Sequence, residues 1–407
     1  MEFLKPPWRR HGATAIRLVA SLLTVALYAA VAFASPGYDD EIWNIDLVET
    51  AGGYRELVTA VNSFDFHTPT QYVINKLLFD LLGDWSWVRV ANAVLVSATI
   101  VALWLATEVQ GWTHRAFAYI VICLNPALLL WCTSLRWYAY FVPVLNLIVI
   151  TMMKNPRRPL VYWSVLTAGS LALFYINYLG LIVAPAIFLV AFFQRRPSIR
   201  HESWLICGLV LVAAVLAYPQ LSVFFSAHLI NAGAATSGMV TTLAGLALDL
   251  SSNQGAMPLS VPGLALAAAN IATFAIAAIK WRSTLLHPTS ALFALSAVGT
   301  VAVRVRFRTL VTLSTLQGVF QTVTFGQTPS AVVRGLLLAL FAIGNIGSDY
   351  NVVRHEGTTK GSWNTPYPLV LDLYRSRTAS CASTTVVAKD PVLIFHLRRL
   401  VSEVISV

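Results

Sequence analysis

The stretch Ala13–Ala34, ATAIRLVASLLTVALYAAVAFA, runs directly into Ser35-Pro36-Gly37-Tyr38-Asp39-Asp40-Glu41. An apolar run of this length crosses about 30 Å of hydrocarbon as a helix, and in lipid only helices or closed barrels satisfy every backbone polar group. The Leu- and Ala-rich composition favours the helix. Preceded by the basic start Met1-Glu-Phe-Leu-Lys5 and Arg9-Arg10-His11, the run superficially resembles a signal peptide. It is long enough to span and more spans follow, so it reads as an uncleaved first helix with a cytoplasmic N-terminus.

Outward from this point the same composition recurs. The 407 residues are 57% hydrophobic and 11% charged, where an ordinary soluble domain is about one-quarter charged. The net charge of +10 does not indicate nucleic acid, because the Arg and Lys stand mainly between apolar runs and form no single basic face. Candidate spans fall near 13–34, 87–107, 116–132, 137–153, 160–176, 179–193, 203–222, 260–279, 289–303, 309–325 and 332–347. The expectation is therefore an all-α polytopic membrane protein with roughly eleven transmembrane helices in a plasma or inner membrane, its N-terminus cytoplasmic and its C-terminus extracytoplasmic. Arg115, Lys154 with Arg157 and Arg158, Arg195-Arg196 with Arg200, and Lys280 with Arg282 all fall inside in this register, as the positive-inside rule requires. Arg304, Arg306 and Arg308 fall outside, against it.

The expected organisation is a membrane domain over 1–347 and an extracytoplasmic segment over 348–407. Three outer segments exceed turn length. The first, about 35–86, carries Ile42, Ile45, Val48, Leu57, Val58 and Val61 at near-helical spacing, suited to the membrane interface. The second, about 223–259, is rich in Gly, Ala, Ser and Thr with Asp249 near its end, and no role is assigned to it. The third, after Gly347, reads as a small α/β segment: a helix around 366–377, a strand around 384–388, and a last helix opened by Asp390-Pro391 and running to about Val404. Four cysteines show neither a disulfide framework nor metal-site spacing.

Few residues have the chemistry for a site. Asp39, Asp40 and Glu41 follow a turn at the first span's exit, where a carboxylate can act as general base toward a hydroxyl or bind a cation. The same three acids equally suit capping of the next helix and complementing its dipole. His67 sits before Pro69 in an ordinary helix-entry pattern. Arg136-Trp137-Tyr138 lies where two spans meet outside, suited either to holding an anionic head group or to interfacial anchoring. Arg304, Arg306 and Arg308 alternate at an outer span end and can attract a phosphate or pyrophosphate. Trp363 and Tyr367 can stack on a sugar or lie at the interface.

In order, these features resemble the GT-C superfamily of integral membrane glycosyltransferases, especially its protein O-mannosyltransferase and aminoarabinose transferase branch. Tyr38-Asp39-Asp40-Glu41 is similar to the acidic motif of that family's first outer loop. His67-Thr-Pro-Thr-Gln-Tyr72 stands for its His-Pro-Pro-Leu-Tyr-Tyr stretch, one Pro short. Val88-Arg89-Val-Ala-Asn92 matches an Arg-leading second span, and Asn125-Pro126 with Ser134-Leu-Arg136-Trp-Tyr138-Ala139 matches a Pro-containing third span and its outer turn. Ile176-Asn177-Tyr178-Leu-Gly180 has Asn where His is common. The matches cover residues 1–180.

The resemblance implies transfer of a hexosyl or pentosyl group from a polyprenyl-phosphate donor to an acceptor hydroxyl on a glycan, lipid or protein, at the non-cytoplasmic face and with inversion. Asp40 would be the base, with Asp39 and Glu41 beside it. Arg136, Tyr138, His67 and the Arg304, Arg306, Arg308 group would meet donor and phosphate. No cofactor is implied with certainty; a divalent cation is possible but no residue pattern indicates one. A lipid-linked-glycan polymerase or flippase-like transporter is the alternative, and it would call for ionisable residues at mid-membrane or broken helices. A non-catalytic assembly or receptor protein is a second.

Overall fold

The computed structural model describes residues 7–34, 39–64, 68–196, 199–223, 260–302, 312–355, 386–388 and 404–406. The chain opens with α1 (Pro7–Ala34), followed by three short helices, α2 (Asp39–Thr50), α3 (Tyr54–Phe64) and α4 (Thr70–Leu82). The bundle then runs through α5 (Trp85–Ala106), α6 (Trp112–Ile122), α7 (Pro126–Trp131), α8 (Tyr138–Lys154), α9 (Pro159–Ile176), α10 (Gly180–Gln194) and α11 (Ile199–Val223). It ends with α12 (Val261–Ile279), α13 (Trp281–Leu285), α14 (Pro288–Ala302), α15 (Ser314–Gly326) and α16 (Ala331–His355).

Among the described residues seven helical stretches are long and apolar enough to cross a membrane: Thr14–Ala34, Trp85–Ala106, Trp112–Trp131, Pro159–Ile176, Arg200–Val223, Val261–Ile279 and Ala331–Val353. Tyr138–Lys154, Gly180–Gln194 and Pro288–Gly299 are apolar but shorter. Length and composition make this an integral membrane protein. The expected span at 309–325 differs most. Its described part is α15, of 13 residues, too short to cross alone and rich in Thr and Gln. It is buried nearly throughout, with Gln317 and Gln321 donating to Asn270 of α12 at 3.1 and 2.5 Å. The last helix is longer than expected and continues unbroken through Gly347 to His355.

One span is interrupted. Between α6 and α7 the helix breaks at Cys123–Asn125; Pro126 cannot donate to the preceding turn, and the Asn125 side chain caps α7 by accepting from Ala127 and Leu128 N–H at 3.1 and 3.3 Å. Carbonyls freed by the break are taken up by other helices. Asn345 of α16 donates to the Ile120 carbonyl at 2.8 Å, and Tyr28 of α1 donates to that of Cys123 at 3.5 Å.

The segment between α1 and α5 does not lie flat on the membrane interface, as its spacing suggested. The turn at Ala51-Gly52-Gly53 folds α2 onto α3, so that Ile45, Val48, Leu57 and Val61 face one another and pack with Tyr72, Trp85, Val88 and Leu135 in a second small core. Burying an aliphatic side chain contributes about 1.5–3 kcal/mol, and two half-stripes on separate helices bury more against each other than against lipid head groups. Trp85 joins this cap to the bundle, stacking on Phe79 at 4.4 Å and donating its indole N–H to Glu49 at 2.7 Å.

Near the C-terminus, Val386–Ala388 pairs in parallel with Val404–Ser406, Val386 opposite Val404. The strand expected around 384–388 is thus present in part, and Val404 opens a strand where the last helix was expected to end. The helices expected at 366–377 and after Asp390, the outer segment 224–259, and Trp363 and Tyr367 lie outside the described residues.

Candidate active site

Helix α2 begins at Asp39, so Asp39 and Asp40 form its first turn and Glu41 follows. Glu41 is fully buried, as are Asn44, Ile45 and Val48, which places positions i, i+3, i+4 and i+7 on one inward face. The carboxylate of Glu41 accepts the backbone N–H of Leu135 at 2.6 Å and pairs with the Arg89 Nε of α5 at 3.5 Å. Arg89 is itself 6% exposed. A buried pair of this kind adds little net stability, yet removing one partner costs about 3–5 kcal/mol because the other stays buried and charged. Its role here is to fix position.

Leu135 belongs to the Thr133–Trp137 turn that joins α7 to α8, and its carbonyl is held as firmly as its N–H. Asn75 of α4 donates to it at 3.0 Å and Asn44 of α2 at 3.4 Å. Gln71 donates to Asn44 at 3.3 Å, and the Tyr140 hydroxyl donates to Asn75 at 2.5 Å. One turn residue therefore collects α2, α4, α5 and, through Tyr140, α8. On the far side Thr68 donates to the Ile176 carbonyl at 2.6 Å, while the Asn177 side chain accepts from Leu179 N–H at 2.9 Å and shapes the entry to α10.

Arg136, next to Leu135, is 8% exposed, and Tyr138 is buried between Trp131 and Trp137, with ring centroids 6.1 and 4.3 Å away. The geometry thus links Glu41 of the acidic motif, Thr68, Gln71 and Asn75, the start of α5 at Arg89, the Leu135 turn and the Ile176 end of α9 through hydrogen bonds and an ion pair. His67 and Arg304, Arg306 and Arg308 lie outside the described residues. Of Asp39 and Asp40 the backbone alone is described.

Among the described residues no group of three His, Cys, Asp or Glu is placed to hold a metal ion. The amides Asn44, Gln71 and Asn75 had no place in the sequence-derived site. Gln71 and Asn75 stand four apart on one face of their helix with Tyr72 between them, a pattern that marks them as facing a polar partner.

In fold the chain is similar to crystal structures of ArnT from Cupriavidus metallidurans, one bound to undecaprenyl phosphate and one in the apo state, with TM-scores of 0.60 and 0.59. Sequence identity is 13% and 12%, and each match covers 95% of this chain and 85% of the other. The likeness is one of fold. No family model matches the sequence, and no curated protein does.

Proposed function

We propose that this protein is a membrane glycosyltransferase that moves a sugar from a polyprenyl-phosphate donor to an acceptor hydroxyl on a glycan, lipid or protein, at the face carrying the acidic cluster. The observation that carries the reading is the Glu41–Leu135–Arg89 knot, which seats the start of α2 against the turn bearing Arg136. The ArnT-like fold and the undecaprenyl phosphate bound to ArnT support a lipid-phosphate partner.

Within the acidic cluster the three positions divide the work. Glu41 is committed to Leu135 and Arg89 and serves as a positioning residue. At about 100° per residue, position 40 lies roughly 40° around the helix from Asn44, at the edge of the inward face, and position 39 lies nearly opposite that face. That position supports assigning Asp40 as the base. In an inverting displacement it takes the acceptor proton as the hydroxyl oxygen attacks the anomeric carbon, and the carbon–oxygen bond to the lipid phosphate breaks with its electron pair on the phosphate. Arg136, with Arg304, Arg306 and Arg308, is assigned to that leaving phosphate.

Mass analysis of lipid-linked sugars and surface glycans in cells lacking the protein identifies donor and acceptor. With that donor, purified Asp40→Asn should lose about 10²- to 10⁴-fold in kcat with KM for donor little changed, and Arg136→Gln should raise that KM. Normal transfer by Asp40→Asn overturns the base assignment.

A second reading has one observation in its favour. Asp349 is buried within the last span, and among the described residues neither of its carboxylate oxygens has a hydrogen-bond partner. One turn earlier in the same helix, Asn345 donates to the Ile120 carbonyl at the α6–α7 break. A buried carboxylate beside a broken helix is a feature of transporters. Asp349→Asn separates the two: unchanged sugar transfer supports the transferase, and abolished movement of a lipid-linked glycan across vesicles supports transport.

A further inference from the structure

At the bundle end remote from the acidic cluster lies a cavity of about 290 Å³, lined by Arg17, Trp104, Thr107, Gln110 and Arg115 among others. Arg17 stands 17 residues before the end of α1, about 26 Å along the helix axis from Ala34 at 1.5 Å per residue. Three spans reach this level together: Thr14–Ala34 and Trp112–Trp131 start here, and Trp85–Ala106 ends here. The cavity therefore sits at head-group depth.

Its walls are built rather than incidental. The loop between α5 and α6 turns through Glu108 at φ +50° and Gly111 at φ +82°, both in the left-handed region, which non-glycine residues occupy only when their surroundings impose it. Arg115 Nε donates to the Val109 carbonyl at 3.0 Å and the Trp104 indole donates to the Arg115 carbonyl at 3.3 Å, so loop, ring and guanidinium are locked together. Neither Arg17 nor Arg115 has a carboxylate partner among the described residues. The one acid at the rim, Glu108, is paired with Lys154 of α8. Leu105 lines the same cavity and is 45% exposed on the lipid-facing side.

We propose that this cavity binds the phosphodiester head group of an anionic phospholipid, in the leaflet on the side opposite the acidic cluster. Two guanidiniums flank the phosphate, Thr107 and Gln110 offer hydrogen bonds to its substituent, and an acyl chain leaves over Leu105. Charge-assisted bonds from arginine suit a phosphate oxygen, and Trp104 is the aromatic residue expected at this depth. A soluble anion would make no use of the exposed apolar edge.

The test is native mass spectrometry of the full-length protein in detergent, titrated with phosphatidylglycerol and, separately, phosphatidylcholine. Wild type should retain phosphatidylglycerol preferentially. Arg17→Gln and Arg115→Gln should each weaken that binding about fivefold, with the effects compounding in the double variant. Arg17 is exposed and has no carboxylate partner among the described residues, so its variant decides the matter even if Arg115→Gln disturbs the loop. Equal retention of the two lipids by wild type, or unaltered binding by Arg17→Gln, overturns the proposal. So does inorganic phosphate binding as tightly as phosphatidylglycerol, which would make this a site for a soluble anion.

Discussion

Replacing Glu41 tests whether one buried carboxylate holds the acidic helix in place. Glu41→Ala leaves the Leu135 N–H without its acceptor and takes the Glu41 carboxylate away from the Arg89 guanidinium. An orphaned buried donor costs about 1–3 kcal/mol and breaking a buried ion pair about 3–5 kcal/mol, together at most about 4–8 kcal/mol, a large part of a bundle's stability. Glu41→Gln keeps an acceptor for Leu135 and loses only the charge, which should cost nearer 1–3 kcal/mol.

The decisive measurement is a double-mutant cycle with Arg89→Met, following denaturant unfolding of the purified protein by tryptophan fluorescence. In a Glu41→Gln background Arg89→Met should cost at least 1 kcal/mol less than in wild type, because its ion pair with Glu41 is already lost. Costs equal in both backgrounds would refute the coupling. Transfer by Glu41→Gln, measured per folded molecule, should remain well above that of Asp40→Asn; an equal loss would make Glu41 a catalytic residue.

Three further outcomes are expected. Asp80 accepts from the Tyr54 hydroxyl at 2.8 Å and from Lys76 at 3.2 Å; these bonds, that from Tyr54 foremost, hold its carboxyl below the ordinary range. Because its folded pKa is depressed, the stability it contributes is present above the unfolded value of about 3.9 and is lost as pH falls through the lower folded value. Hydrogen exchange in α3 and α4 should therefore rise below about pH 4, and Asp80→Asn should flatten that dependence. At Gly180 an added Cβ would stand 2.4 Å from the Phe174 N and 2.6 Å from the Leu173 carbonyl carbon. Gly180→Ala should cost about 1–3 kcal/mol, read as a lowered midpoint of thermal aggregation, with no such drop at Gly208, which has open space. Asn75→Ala should destabilise by about 1–2 kcal/mol, read as a lowered midpoint of thermal aggregation, by removing one of the two donors to the Leu135 carbonyl and an acceptor of the Tyr140 hydroxyl.

The helices were legible because lipid leaves a chain few options: seven of the eleven expected spans are, among the described residues, helices long and apolar enough to cross, and three more are apolar but shorter. The count was less legible where composition and environment diverge. Helix α15 looks like a borderline span in hydropathy, yet its Gln317 and Gln321 are satisfied by Asn270, a residue about fifty positions away that no local window contains. The folding of α2 on α3 was hidden for a related reason, since spacing gave an apolar stripe without saying what would cover it. Of the site, the motif positions were visible, and their convergence on the Leu135 backbone was not. A main-chain N–H and carbonyl carry no side-chain signature, so a hub built on them leaves no trace in the sequence beyond the amides that reach for it.

The polar character of α15 bears on how the chain enters the membrane. With 13 residues and a run of Thr and Gln, it gains too little from lipid to insert as an independent segment. The ribosome releases it before α16, whose 23-residue apolar stretch inserts readily. Helix α15 must therefore wait at the membrane surface until its successor and the already placed α12 and α6 offer it a protein-lined slot, where Phe325 stacks on Phe117 at 3.9 Å. Chains arrested after Gly326 should leave α15 accessible to aqueous cysteine labels, and full-length chains should protect it. Equal protection in both would show that it inserts unaided. Assembly of this bundle thus ends from the inside, with its most polar helix the last to leave water.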